Sequence, residues 1–262
     1  FKSTFFLFMF RFMFLLRSVT LKTFCTLKSY PSRMTSSLSA QTSWDPESNI
    51  PANVLNYLKN DQPLNSKYSQ INFFFQLISL LKQQERTGWI NMGIPKPESI
   101  ADHMYRMSII SLVLDSNAWE AENIKPDLNK CCKMALVHDI AESLVGDIVP
   151  NDVHIDKFEK SKREYKAILY LCDIISKYNQ QSANEIKELW IDYECQRNIE
   201  STIVKDIDKF ELLIQTFEYE RMHKRRMDEF YSCKKVIKNP EIQKMADELF
   251  QQREKFLSAN QL

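Results

Sequence analysis

Glycine is scarce in this chain, and that scarcity restricts the possible fold more than any other feature of the sequence. Only three glycines occur among 262 residues, namely Gly88, Gly93 and Gly146. A sheet-rich protein needs many tight turns, and glycine is the residue that enters left-handed backbone conformations without steric cost. A chain with so few glycines is therefore expected to be built mainly of helices.

The spacing of apolar residues supports the same conclusion from Pro51 onward. Long runs with helical periodicity extend from Ile71 to Leu81, from Ile100 to Leu114 and from Ser201 to Tyr219. Strand alternation and internal repeats are not evident. We predict that residues 51–262 form one all-α domain, a helical bundle of roughly eight to ten helices around a single core.

Residues 1–50 differ in composition from the rest and are expected to be a disordered extension. The first 44 residues contain six Lys or Arg and no Asp or Glu, and their apolar start is too short for a membrane span of roughly 20 residues. The segment resembles a mitochondrial presequence; it is also compatible with a signal peptide, or with upstream sequence ahead of a start at Met34. We expect a cytoplasmic protein, or a mitochondrial one if residues 1–33 act as a presequence.

Charge is spread unevenly, which bears on possible partners. The net charge is +1, and because the first 44 residues are basic, the remainder is acidic. A uniformly basic face for a nucleic acid polymer is therefore not expected, and neither is a membrane partner.

The segment Ala135–Pro150, ALVHDIAESLVGDIVP, holds an unusual density of ionisable residues in an apolar setting. His138 and Asp139 are neighbours, and Glu142 and Asp147 follow. Charged groups are rarely buried unless they are paired or bound to a metal. We predict a helix over residues 128–144 that ends at Gly146, with His138 and Glu142 on one face. Glu142 and Asp147 are candidates for acid–base chemistry.

Other ionisable residues on apolar helical faces complete a candidate metal site. His103 lies on the preceding helix, and either Asp206 or Asp208 on the long late helix; periodicity does not separate these two. Imidazoles and carboxylates together suit a divalent cation such as Mn²⁺, Co²⁺, Mg²⁺, Fe²⁺ or Zn²⁺. Each residue also has a simpler interpretation, since a single histidine on an apolar face is often a hydrogen-bonded core residue.

The loop RTGW, residues 86–89, is a candidate for substrate binding. Arg86 suits a phosphate, and Trp89 suits stacking on a base or sugar. The alternative is a loop anchored by a buried Trp89, with Arg86 on the surface.

Taken together, these motifs resemble the HD-domain metal-dependent phosphohydrolases, and in particular their 5′-deoxynucleotidase subgroup. The similar segments are RTGW, PESIADHMYRM, ALVHDIAESLVGDIVP, IVKDIDKFE and QTFEYE, and they extend over residues 68–255. The resemblance implies hydrolysis of nucleoside 5′-monophosphates, chiefly deoxy forms, and a homodimer. It implies catalytic roles for Glu142 and Asp147, substrate contacts for Arg86 and Trp89, and one divalent metal ion held by four residues: His103, His138, Asp139 and Asp208.

Two other functions remain open. One is an HD phosphodiesterase or a dNTP hydrolase, although both generally use additional histidines or more cationic residues than this sequence places near its motifs. The other is a non-catalytic helical binding protein stabilised by its metal. Glu142 and Asp147 argue against the latter, because metal binding alone does not require them.

Overall fold

The structure, a computed structural model, describes residues 44–55, 64–122, 125–149 and 152–262. These ranges contain helices and no strand, so the all-α prediction is confirmed. The α-helices whose two ends are described are α1 (Lys67–Ile78), α2 (Thr87–Asn91), α3 (Ile100–Val113), α4 (Leu128–Ala135), α5 (Glu142–Val145), α6 (Lys157–Ser176), α7 (Gln180–Cys195), α8 (Ile199–His223) and α9 (Pro240–Asn260). Residues 52–55 are also helical. Short 3₁₀ segments occupy Glu47–Asn49, Ser79–Lys82, Ser116–Glu122 and Asp228–Val236. Over these same ranges, no helix has both the length and the hydrophobicity needed to cross a membrane.

The compact unit that contains the helices begins at Trp44; the predicted domain boundary at residue 51 stays a prediction. Ile50 is only 4% exposed, and the backbone carbonyl of Trp44 accepts a hydrogen bond from Lys166 at 2.7 Å. The polar residues of this segment bond locally; for example, the Ser48 amide donates to Asp45 at 3.0 Å. Residues 1–43, which make up most of the predicted extension, lie outside the described ranges.

Helix α8 is the centre of the bundle. Asn198 caps its first turn by accepting a hydrogen bond from the Ser201 amide, and the helix packs against α3, α4, α7 and α9. Their buried apolar side chains form one core, which includes Met107, Ile110, Met134, Leu189, Ile203, Ile207, Leu213 and Ile242. Burial of this continuous apolar face, rather than helix propensity alone, stabilises a long helix such as α8.

The start of α3 is fixed by two local features. Ser99 and Asp102 form a capping box, in which each side chain accepts a hydrogen bond from the other residue's amide. A single antiparallel bridge between Glu85 and Ser99 closes the loop that carries α2. Residues in the first turn of α3, including His103, are thereby held beside the loop that contains Arg86.

The helix predicted over residues 128–144 is interrupted in the structure. Helix α4 ends at Ala135, residues 136–141 form successive turns, and α5 begins at Glu142. Several turn bonds span three residues, such as the Ile140 amide to Val137 at 3.2 Å. Adjacent side chains of a regular helix point about 100° apart, whereas here His138 Nε2 and Asp139 Oδ2 approach to 3.1 Å. The interruption lets two neighbouring residues face one cavity. Gly146 ends α5 with φ 82°, as predicted.

Candidate metal centre and active site

Three of the four predicted metal ligands lie together. His103 comes from α3, and His138 and Asp139 come from the turns after α4; one donor atom from each lies within 4.8 Å of the others. His103 is fully buried and His138 is 2% exposed. The two imidazole rings meet edge to face, with centroids 5.6 Å apart.

The hydrogen bonds of the two histidines indicate which nitrogen is free. His138 Nδ1 lies 2.9 Å from the carbonyl oxygen of Ala135, which can only accept, so Nδ1 carries the hydrogen. His103 Nδ1 lies 2.5 Å from the Glu211 carboxylate, which acts as an acceptor in the same way. Both Nε2 atoms are buried and lack a hydrogen-bond partner. In the neutral rings these atoms present lone pairs to the cavity, which is the form that a divalent cation requires.

Asp208 and Asp206 differ in what surrounds them, although both are buried. Asp208 Oδ1 lies 3.5 Å from His103 Nε2, at the edge of the cavity and outside the tight group of three donors. Asp206 Oδ2 instead accepts hydrogen bonds from the amides of Lys238 and Asn239, at 2.9 and 2.6 Å. Asp206 is therefore engaged in fixing the start of α9, and Asp208 is the carboxylate beside His103.

A second group of possible ligands, formed by Glu98, His103 and Glu211, lies on the other side of the His103 ring. Its carboxylates already have cationic or hydrogen-bonding partners. Arg106 donates to Glu211 at 2.8 Å, and the Trp89 indole donates to Glu98 at 2.9 Å. We interpret this group as an ion-pair network that orients His103.

The electrostatics of the cavity favour a cation. Burial and Arg86 lower the pKa of His103, but Glu211 and Asp208 outweigh both and raise it to about 9. Burial raises the pKa of Asp139, but His138 and Arg86 outweigh it, so the carboxyl has a pKa well below its usual range. The pocket thus holds ionised carboxylates and attracts positive charge, whether as a proton on a ring or as a metal ion.

Arg86 reaches into this cavity. Its Nη1 lies 3.5 Å from Asp139 Oδ2, and the side chain is 17% exposed. Burial alone would lower the pKa of Arg86, yet the surrounding carboxylates raise it, with Asp139 and Asp147 the largest contributors. A permanently charged guanidinium at the edge of the cavity suits a phosphate ligand.

Glu142 lies close enough to both Asp139 and Asp147 to interact with them electrostatically. Glu142 is 3% exposed; its Oε1 is 3.4 Å from Lys160 Nζ, and its Oε2 is buried without a hydrogen-bond partner. Burial, followed by Asp139 and Asp147, raises the pKa of Glu142 well above its usual value. Such a carboxyl has the environment of a proton-transfer group.

Asp147 connects this cavity to the loop that contains Arg86. Its Oδ2 accepts a hydrogen bond from the Thr87 amide at 2.6 Å, and the Thr87 hydroxyl donates back to the Asp147 carbonyl at 2.7 Å. These two bonds hold the start of α2 next to the segment that follows Gly146. Arg86, which immediately precedes α2, is positioned by the same contacts.

Trp89 does not line the cavity. The side chain is 1% exposed, its ring packs against Tyr219 and Phe230 at centroid distances of 5.1 and 4.6 Å, and its indole N–H is bonded to Glu98. Stacking on a base requires an open ring face, and these contacts cover the ring. The structure therefore fits the alternative, a loop anchored by a buried tryptophan, and a substrate contact at Trp89 stays a prediction.

Several residues at the site were not singled out from the sequence. Glu211 follows Val204 and Asp208 on the buried face of α8, so helical periodicity would have placed it there. Tyr193 and Lys160 belong to α7 and α6, and their local sequence gives no comparable signal. Tyr193 packs its ring against His138, with centroids 4.8 Å apart, while Lys160 contacts Glu142.

Comparisons with known proteins show which proteins this chain is similar to. Residues 78–250 match the family model described as HD domain. The chain is 42% identical over 220 residues to the Saccharomyces cerevisiae protein named 5′-deoxynucleotidase YBR242W, a match that covers 83% of this chain and 87% of the relative. It is 35% identical over 189 residues to human 5′-deoxynucleotidase HDDC2, covering 71% of this chain and 87% of the relative.

Solved structures show the same relationship. The structure titled HD domain-containing protein YGK1 superposes with a TM-score of 0.60 at 35% identity, covering 82% of this chain and all of the other. A conserved hypothetical protein from Pyrococcus furiosus gives a TM-score of 0.54 at 28% identity, covering 70% of this chain and 98% of the other. On sequence and fold together, this chain belongs to the HD domain family.

Proposed function

We propose that this chain is a metal-dependent 5′-deoxynucleotidase, a phosphoric monoester hydrolase that converts deoxynucleoside 5′-monophosphates to nucleoside and phosphate. The observation that carries the proposal is that His103, His138 and Asp139 converge, while both imidazole Nε2 atoms and Glu142 Oε2 are buried without hydrogen-bond partners. Relatives named 5′-deoxynucleotidase match over most of the chain and support the substrate class.

Four residues would hold the metal: His103, His138, Asp139 and Asp208. Two neutral imidazoles and two carboxylates fit a divalent cation and leave positions open for water and substrate. The chemistry that such a cation supplies is polarisation of a phosphate oxygen and a lowered pKa of water. The identity of the cation, among Mn²⁺, Co²⁺, Mg²⁺, Fe²⁺ and Zn²⁺, is part of the test below.

Three residues of the chain carry out proton transfer and phosphate binding. Glu142 accepts a proton through Oε2 from the water that attacks phosphorus. Asp147 enters the step protonated, delivers its proton to the 5′-oxygen as the bond between that oxygen and phosphorus breaks, and is left as a carboxylate. Arg86 offsets the phosphate charge and orients the group for in-line attack. The products are a nucleoside with a free 5′-hydroxyl and inorganic phosphate.

The test is phosphate release from a panel of deoxynucleoside and ribonucleoside 5′-monophosphates, each assayed with the five metals in turn. We expect release from deoxynucleoside monophosphates, and loss of release on chelation with the fold intact. Absence of release from every monophosphate with every metal refutes the proposal. Parallel assays with dATP and cyclic AMP separate it from the dNTP hydrolase and phosphodiesterase alternatives.

We also propose a homodimer and a cytoplasmic location. The family resemblance supports the dimer, and α3 exposes an apolar row of the kind that subunit contacts use: Tyr105, Ile109, Leu112 and Val113. Sedimentation equilibrium tests the dimer, and a monomer at micromolar concentration contradicts it. Imaging of tagged chains that begin at residue 1 or at Met34 separates a cytoplasmic from a mitochondrial location.

A further inference from the structure

Tyr193 touches two of the proposed metal ligands from a helix that supplies none of them. It lies near the end of α7 and is 3% exposed. Its ring meets the His138 ring at 61°, with centroids 4.8 Å apart, and its hydroxyl lies 3.2 Å from Asp208 Oδ2. A residue in this place is able to fix the orientation of both ligands.

The hydrogen bonds to Asp208 are all on one oxygen. Oδ2 receives Lys209 Nζ at 2.8 Å and the Tyr193 hydroxyl at 3.2 Å, and Lys205 Nζ lies 3.7 Å away. Oδ1 instead faces His103 Nε2 at 3.5 Å. Because the donors gather on Oδ2, the carboxylate is held in one rotation and Oδ1 is directed to the cavity.

The direction of the Tyr193 hydrogen bond follows from its other partner. Lys205 Nζ lies 2.9 Å from the Tyr193 oxygen, and a lysine ammonium only donates. The phenol oxygen therefore accepts from Lys205, and its own hydrogen goes to Asp208. The hydrogen bonds therefore run in one direction, with Lys205 donating to Tyr193 and Tyr193 donating to Asp208.

We propose that Tyr193 is a positioning residue that makes Asp208 bind the metal through a single oxygen and holds the His138 ring in place. The inference rests on the metal site of the proposed function. With Oδ2 occupied by protein donors, Asp208 uses one coordination position rather than two. The coordination position that a second Asp208 oxygen would occupy then remains open to water or a phosphate oxygen.

The experiment measures metal binding without substrate, using Tyr193→Phe and a matched control. Tyr231→Phe removes a bond of the same type, since the Tyr231 hydroxyl donates to a buried carboxylate of α8, Glu220, at 2.9 Å. Mn²⁺ affinity is measured by calorimetry, and the visible spectrum of bound Co²⁺ reports coordination number. We expect Tyr193→Phe to weaken Mn²⁺ binding about 10–100-fold and to alter the Co²⁺ spectrum, whereas Tyr231→Phe leaves both unchanged.

A second variant provides the test if Tyr193→Phe does not fold. Lys205 has a 44% exposed side chain, so Lys205→Met is expected to fold, and it removes the donor that directs the phenol hydrogen. We expect a smaller loss of Mn²⁺ affinity, several-fold in size, with a shifted Co²⁺ spectrum.

Three results overturn the inference: parental Mn²⁺ affinity and Co²⁺ spectrum in Tyr193→Phe, equal losses in Tyr193→Phe and Tyr231→Phe, or no metal binding by the parent. If Tyr193→Phe does not fold, parental behaviour of Lys205→Met overturns it. A parent that binds metal but hydrolyses no nucleoside monophosphate rejects the proposed function alone, because the binding measurements do not depend on activity.

Discussion

Replacing Glu142 with glutamine isolates the proposed proton acceptor from the rest of the site. Glutamine keeps the shape of the side chain and an oxygen that can accept from Lys160, 3.4 Å away, but an amide cannot take a proton from water. A positioned general base contributes about 10²–10⁴-fold in rate, which corresponds to about 2.7–5.4 kcal/mol in the activation barrier. We expect the rate of the chemical step to fall by that factor.

The assay is single-turnover phosphate release from a deoxynucleoside monophosphate at saturating Mn²⁺, which separates chemistry from product release. The melting temperature, measured with and without Mn²⁺, reports fold and metal binding in the same protein. Glu142 is not among the proposed ligands, so the shift in melting temperature caused by Mn²⁺ is expected to match that of the parent.

Glu164→Gln is the matched control. Glu164 is also buried, 8% exposed, and its carboxylate also lies 3.4 Å from Lys160. Burial raises its pKa to about 7, so this variant removes a comparable perturbed carboxyl outside the group of proposed ligands. We expect its rate to stay within roughly threefold of the parent. A Glu142→Gln rate within tenfold of the parent, or an equal loss in Glu164→Gln, refutes the assigned role.

Two further predictions concern buried polar contacts. Arg253→Met removes both guanidinium bonds to the fully buried Glu220, each 2.7 Å. We expect it to lower the free energy of unfolding, measured in urea, by about 3–5 kcal/mol. Arg197 is half-exposed, so Arg197→Met is expected to lower it by at most about 1 kcal/mol, and equal losses contradict the argument. Trp89→Phe removes the indole donor to Glu98 and is expected to lower the free energy of unfolding by about 1–3 kcal/mol, with an unchanged KM. A tenfold rise in KM with unchanged stability would instead indicate that Trp89 contacts the substrate.

The sequence predicted which ionisable residues would lie together better than it predicted their geometry. His103, His138 and Asp139 stood out because ionisable residues in apolar helical segments carry a burial cost, and the structure brings the three together. Asp206 and Asp208 could not be separated by periodicity, since both lie on buried parts of α8. What separates them is the neighbouring backbone of residues 238–239, which only the tertiary fold brings near Asp206.

The interruption between α4 and α5 also could not be predicted from the sequence. Residues 136–141 read LVHDIA, a segment without glycine or proline to signal a break. The turns bring His138 Nε2 and Asp139 Oδ2 to 3.1 Å, a contact between adjacent residues that a regular helix does not provide. Trp89 had two equally reasonable roles in the sequence, and the choice depended on Tyr219 and Phe230, both distant along the chain.

The pairing of His103 with Glu211, 108 residues further along the chain, has a kinetic consequence. Contacts between distant parts of a chain form late in folding, because loop-closure entropy must be overcome first. A metal ion that binds only the assembled cavity stabilises the native state without stabilising an early transition state. We therefore expect the metal to slow unfolding rather than to accelerate folding, so that its availability governs how long each molecule survives more than how quickly it forms.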